Sequence, residues 1–144
     1  YGVAGYPEKH EEAPNNDIDL MFLKQKVDMG ADYIVTQMCF DNQKLYDFMA
    51  RCKSAGINVP IIPGLKPIVN LNQLTMLPKT FRVDLPNDLA MELVKCKDDV
   101  AAKQVGVEWC VMQTKDLIAH GIKSVHFYSH NATESVRKVA EAIF

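Results

Sequence analysis

The sequence predicts an α/β fold of four β/α units in series, read as the second half of an eight-stranded (β/α) TIM barrel. Three observations carry that reading. A helical run, a glycine, a few residues and an apolar strand recur in that order in "DMGADYIV", "SAGINVPII" and "AHGIKSVHF". Within the first of these, Tyr33, Ile34 and Val35 are the aromatic and β-branched residues that a strand covered on both faces wants. The chain also opens on "YGVAGYP", which already reads as strand and lacks an initial methionine, so the numbering is expected to start inside a larger protein. A free-standing doubly wound sheet is the alternative arrangement of the same units, and the opening in mid-strand favours the barrel half.

Taken in order, the first strand is expected near residues 1–6 and its helix near 16–29, closed by Gly30. The second strand falls near 33–39 and its helix near 42–55, closed by Gly56. A third strand near 59–65 precedes a gap about twice as long as the others, which holds helices near 70–77, 86–96 and 98–120. Pro86 suits a first helical turn. Val105, Trp109 and Met112, at i, i+4 and i+7, form a core-facing stripe on the longest helix. Gly121 closes that helix, a fourth strand lies near 123–128, and a last helix near 131–143. The three glycines stand where a left-handed cap residue carries no Cβ penalty. No linker or low-complexity stretch divides the chain, so residues 1–144 read as one piece of a single domain.

Composition narrows the function classes. With a net charge of −2 and scattered basic residues there is no electrostatic footprint for nucleic acid. No run approaches the length of apolar chain that a transmembrane helix needs. Cys39, Cys52, Cys96 and Cys110 form no C-x-x-C pair and have no histidine at zinc-finger spacing, which reads as four buried, reduced thiols in a cytoplasmic protein without a signal peptide. Neither a dinucleotide fingerprint nor a P-loop occurs. Glu8, His10, Glu12 and His126 could meet around a metal, but no helical H-x-x-x-H or carboxylate pattern supports one, and no metal is expected.

If the strands are parallel, their carboxyl ends share one rim, where a ligand binds. That rim collects Tyr6 and "PEKHEEAP" after the first strand, Thr36 and Gln37 in the second, "PGLKPIVN" after the third, and His126, Tyr128, Ser129 and His130 in and after the fourth. Gln37 is the hardest to explain as packing, because a buried carboxamide left unpaired costs several kcal/mol, and it points to a ligand. Asp19, Phe22 and Lys26 share a face of the first helix. Lys66 supports a rival reading: a desolvated lysine at the end of a barrel strand can form a Schiff base with a carbonyl substrate, as in an aldolase or lyase. Against it, Pro67 follows directly and suggests a turn with the side chain free to point outward.

The stretches "GVAGYPEKHEEAP", "DLMFLKQKVDMGADYIVTQMCFD", "GINVPIIPGLKPI" and "SVHFYSHN", in this order over essentially the whole chain, resemble methylenetetrahydrofolate reductase. The resemblance implies strands five to eight of the (β/α)8 barrel of a flavoprotein of folate one-carbon metabolism and methionine biosynthesis. Such an enzyme carries FAD at the barrel mouth and reduces 5,10-methylenetetrahydrofolate to 5-methyltetrahydrofolate with NADH or NADPH. It implies a cytoplasmic enzyme whose full-length form is a homo-oligomer, with a small-molecule folate partner and neither nucleic acid nor membrane.

By the same resemblance, Tyr6, His10 and Ala13 lie against the flavin cofactor, and Asp19, Phe22 and Lys26 line its ribose, phosphate and adenine portion. Gln25 stands where some members have a basic residue. Gln37 contacts the substrate's pterin, whose edge presents donors and acceptors that one carboxamide can match together. Gln73 is a second folate contact, and Leu77, one turn on, stands where an aromatic can pack on the benzoyl group. Two departures are evident: Ala132 replaces an arginine that contacts folate, and Lys66 replaces an apolar residue. No residue of this chain is given a catalytic role, since the family's glutamate general acid and flavin-tuning aspartate are expected before residue 1. By itself the chain is therefore expected to be inactive.

Overall fold

A computed structural model describes residues 1–144. Four parallel strands form one sheet in the order β1 (Gly2–Gly5), β2 (Tyr33–Met38), β3 (Ile61–Leu65) and β4 (His126–Phe127). Helix α1 (Asn16–Asp28) joins β1 to β2, and α2 (Asn42–Ser54) joins β2 to β3. Then come α3 (Gln73–Phe81), α4 (Asn87–Val94) and α5 (Asp99–Ala119) before β4, and α6 (Thr133–Ile143) closes the chain. The spatial order follows the chain order with no reversal. A doubly wound sheet reverses at its switch point, so this topology is that of a partial (β/α) barrel.

Local chemistry sets the helix ends. Asn15, Asp41 and Asp98 cap α1, α2 and α5, each side chain accepting a first-turn N–H at 2.9 Å. Gly30, Gly56 and Gly121 have φ of 111°, 82° and 86°, the left-handed geometry expected after those helices. Other expectations are corrected. The fourth strand is only two residues long, because the chain pairs with β3 solely at Gly64–His126 and Leu65–Phe127. Helix α3 starts later than 70 and runs through Pro78 to Phe81. Pro86 stands at the N-cap of α4 in an extended conformation, one residue before the first turn.

The sheet is covered on one face. Val3, Ile34 and Ile61 pack with Leu23 of α1 and with Phe48 and Cys52 of α2. Further along, Cys39 and Leu65 pack with Leu45, Val107, Cys110, Leu117 and Val139. Residues on the opposite face, Ala4, Tyr33 and His126, are exposed, and Val35 and Ile62 half-buried. Met112 also corrects expectation: it is exposed, and α5 buries Ala102, Gly106, Cys110, Gln113 and Leu117 instead. Val105 and Trp109 flank that stripe, half-buried against the cluster around Phe40, Ile68 and Leu77. Of the cysteines, all free, Cys96 is half-buried, whereas Cys39, Cys52 and Cys110 are buried. Burial holds Cys39 and Cys110 up at about 12 and Cys52 at about 11, far from reactive thiolates.

Helix α5 pins the carboxyl end of β2: the Trp109 indole N–H donates to the Phe40 carbonyl at 2.9 Å and the Gln113 amide to that of Cys39 at 3.0 Å. The approach requires Gly106, where an added Cβ would lie 1.9 Å from the Ile68 carbonyl oxygen. Lys66 is also part of this packing rather than outward-pointing, being only 2% exposed, with a buried Nζ that makes no hydrogen bond. Desolvation lowers its pKa from the ordinary 10.5.

Two stability measurements follow. Gly106→Ala is expected to lower unfolding stability by roughly 2–4 kcal/mol in urea, since backbone must move to admit the methyl. A change below roughly 0.5 kcal/mol would contradict the close approach. For Lys66, the unfolded chain binds a proton that the folded chain refuses at any pH between the lowered folded value and 10.5. The Lys66 contribution to stability therefore rises with pH through that window, is constant above 10.5, and is at its lowest below the folded value. Lys66→Met should stabilise the chain at neutral pH by roughly 1–3 kcal/mol and remove the rise with pH between the lowered folded value and about 9. Destabilisation by Lys66→Met would mean that the amine is paired.

Candidate functional site

The carboxyl ends of β1, β2 and β3 meet around an irregularity in β2. Val35 pairs with Ile62, but Met38 pairs with Gly64, so β2 carries one residue more than β3 over this span. The extra residue is a β-bulge at Thr36–Gln37, a device that re-aims side chains at a sheet rim. Thr36 compensates for the broken ladder: its hydroxyl accepts the Gly64 N–H at 2.8 Å, and its carbonyl accepts the Tyr128 hydroxyl at 2.8 Å. Gly64 must be glycine here, since a Cβ would meet the Thr36 carbonyl at 2.4 Å. Gln37 is half-buried rather than enclosed; the Met38 N–H donates to its Oε1 at 3.0 Å, and its amino group makes no hydrogen bond within the chain.

Beyond β1, Tyr6 to Lys9 form a turn closed by the Lys9 N–H on the Tyr6 carbonyl at 3.1 Å, with Lys9 left-handed at φ 81°. The rings of Tyr6 and His10 meet edge to face with centroids 4.6 Å apart. Asp19 of α1 accepts the His10 N–H at 3.0 Å, and the Lys9 ammonium donates to the Ala13 carbonyl at 2.7 Å. Between this loop, α1 and α2 lies a cleft of about 520 Å³. Tyr6, His10, Ala13, Asp19, Phe22, Gln25 and Lys26 all line it, although they come from a loop and three turns of helix. Sequence reading missed Phe48 and Arg51 of α2, which also line it. The signal that could have found them is their spacing: with Lys44 they stand at i, i+4 and i+7 on one face of α2.

The other expected ligand residues are not gathered in that cleft. Gln73 is buried at the start of α3, where its Oε1 accepts the Val69 N–H at 2.8 Å and closes the loop after β3. Leu77 is fully buried beneath it, packed with Met38, Phe40 and Ile68. Ala132 lies at the start of α6, which has no side-chain cap, beside a shallower cavity of about 350 Å³ that Asn70, Lys103 and Ser135 also line. Of the two lysines near that end of the sheet, Lys66 is enclosed and Lys103 is the one that reaches the cavity. On the β4 side, His126 packs edge-on against Tyr128 with centroids 4.6 Å apart. Burial raises the Tyr128 phenol pKa, so Tyr128 remains a neutral donor to Thr36.

A family model described as methylenetetrahydrofolate reductase matches residues 1–143. The chain is 34% identical over 144 residues to a probable methylenetetrahydrofolate reductase (NADPH) of Caenorhabditis elegans, covering 99% of this chain and 22% of that protein. It is 38% identical over 143 residues to methylenetetrahydrofolate reductase (NADH) 1 of Arabidopsis thaliana, covering 92% and 24%. The chain therefore spans about a quarter of the length of these curated relatives. A solved structure of an uncharacterized protein from Clostridium thermocellum, which binds two copies of 5-methyl-5,6,7,8-tetrahydrofolic acid, superposes with a TM-score of 0.60 at 21% identity. That match covers 98% of this chain and 51% of the other, a likeness of fold.

Proposed function

This chain belongs to the methylenetetrahydrofolate reductase family, and from that premise we propose that it forms one wall of a flavin-dependent folate reductase. In this reading its four β/α units are strands five to eight of the barrel, and four further units cover the sheet face that carries Tyr33 and Val35. The reaction is reduction of 5,10-methylenetetrahydrofolate to 5-methyltetrahydrofolate with NADH or NADPH. Relatives named for each donor leave both open for this chain. What carries the reading is one observation: all seven residues that the resemblance assigns to FAD line a single cleft.

The donor set suits such a ligand. Lys26 enters no ion pair in the chain, so its ammonium is free to meet a pyrophosphate. Asp19 spends one oxygen on the His10 N–H and keeps the other for a sugar hydroxyl. Tyr6, His10 and Phe22 supply flat apolar surface. The flavin, when bound, supplies the hydride chemistry. The chain's own task is to orient: Gln37 is carried at the bulge with an amino group that has no partner in the chain and can donate to a carbonyl of the pterin edge. The Met38 N–H holds that carboxamide in place from behind. Gln73 closes the neighbouring loop, and Leu77 packs α3 onto Met38, Phe40 and Ile68.

In the complete polypeptide, FAD is expected to bind with a perturbed visible spectrum, to be bleached anaerobically by NADH or NADPH, and to be restored by methylenetetrahydrofolate. Gln37→Ala should leave bleaching intact and slow the restoration by roughly 10²-fold, the scale of a lost positioning contact. A folded protein that takes up no flavin would overturn the reading. Equal slowing of both halves would remove Gln37 from the folate side.

A further inference from the structure

We propose that Arg51 is a cofactor-positioning residue, which holds the loop bearing Tyr6 and His10 against α2 and so sets the wall of the cleft. This rests on the reading of the cleft as a flavin seat. Pro7 is buried, and it sits within the tight turn from Tyr6 to Lys9, whose own hydrogen bond uses the Tyr6 carbonyl and leaves that of Pro7 unpaired. A buried carbonyl needs a partner. The Arg51 Nη2 provides it from α2 at 3.2 Å.

Arg51 does not act alone on this loop. One face of α2 presents three side chains to consecutive parts of it. Phe48 packs on Gly5, where a Cβ would lie 2.9 Å from its ring. Arg51 takes Pro7, and Lys44 takes Glu8 at 2.8 Å, within an ion pair that also reaches Asp84 at 2.9 Å. Of the three, Phe48 and Arg51 line the cleft. The Arg51 Nε is buried without a partner, so its guanidinium is held by packing and by the single bond to Pro7. Removing the guanidinium therefore leaves the Pro7 carbonyl unpaired and loosens the side of the turn that faces α2, between the anchors at Gly5 and Glu8.

A positioning role and a direct phosphate contact make different predictions. Wild type, Arg51→Met and Arg51→Lys of the complete polypeptide are titrated with riboflavin, FMN and FAD by flavin fluorescence, with visible circular dichroism of the bound flavin and far-ultraviolet spectra as a fold check. Arg51→Met is expected to weaken all three by a similar factor, roughly tenfold, with an altered dichroic band, and Arg51→Lys to recover part of the loss. Unchanged affinity in folded Arg51→Met overturns the proposal, as does a loss confined to FMN and FAD, which would make Arg51 a phosphate ligand. Should Arg51→Met not fold, Arg51→Gln, too short to reach Pro7, takes its place with the same outcomes. A wild type that binds none of the three removes the flavin reading itself, along with the proposal, and is distinguishable because it shows before any variant is made.

Discussion

The rim of this sheet depends on how Thr36 repairs the ladder that the bulge interrupts. One extra residue in β2 leaves the Gly64 N–H without its regular strand partner, and an unpaired buried amide costs about 1–3 kcal/mol. The Thr36 hydroxyl accepts it, while the Thr36 carbonyl accepts the Tyr128 phenol from the far side of β3. Three strand ends are thereby joined through one fully buried residue, by its hydroxyl on one side and its carbonyl on the other. Gly64 follows from the same arrangement, because any side chain would strike the Thr36 carbonyl. Gln37 is thereby carried at the bulge and steadied by the next backbone amide instead of being sealed in the core.

A second constraint acts on the β1 side. The loop after β1 has a left-handed Lys9 and little regular structure, yet it carries residues that line the principal cleft. It is tied to α1 by Asp19, to α2 by Lys44 and Arg51, and to the turn before α4 by the Asp84 N–H, which donates to Glu8 at 3.0 Å. These contacts are polar and all but the one to Asp19 come from distant parts of the chain, so the wall of the cleft is ordered before a ligand arrives, which is the arrangement that lowers the entropic cost of binding.

Much of this was legible in the sequence. Three helix ends were marked by glycines with one conformational job, and the cleft by the face that Asp19, Phe22 and Lys26 share, whereas the caps Asn15, Asp41 and Asp98 emerge only from the structure. What escaped has physical causes. Met112 fits an apolar stripe by spacing, but the sheet contacts the adjacent face of α5, where Gly106 and Gln113 are needed and hydrophobicity is low. Lys66 followed by Pro67 suggests an exposed turn; burial of an unpaired amine is a tertiary fact that no local pattern encodes. The bulge was invisible because register belongs to two strands. Leu77 lies in the core because α3 turns that face to Ile68 and Phe40. Arg51 was missed since its partner is a backbone carbonyl 44 residues away.

The proposed flavin seat is the cleft between the β1 loop, α1 and α2. Hydrogen–deuterium exchange of the complete polypeptide with and without FAD tests it most directly. New protection is expected in residues 5–29 and around Arg51, with α4 and the exposed side of α5 unchanged. Protection centred instead on the cavity beside Asn70 and Ser135, or a bound flavin that leaves residues 5–29 exchanging as before, would contradict it.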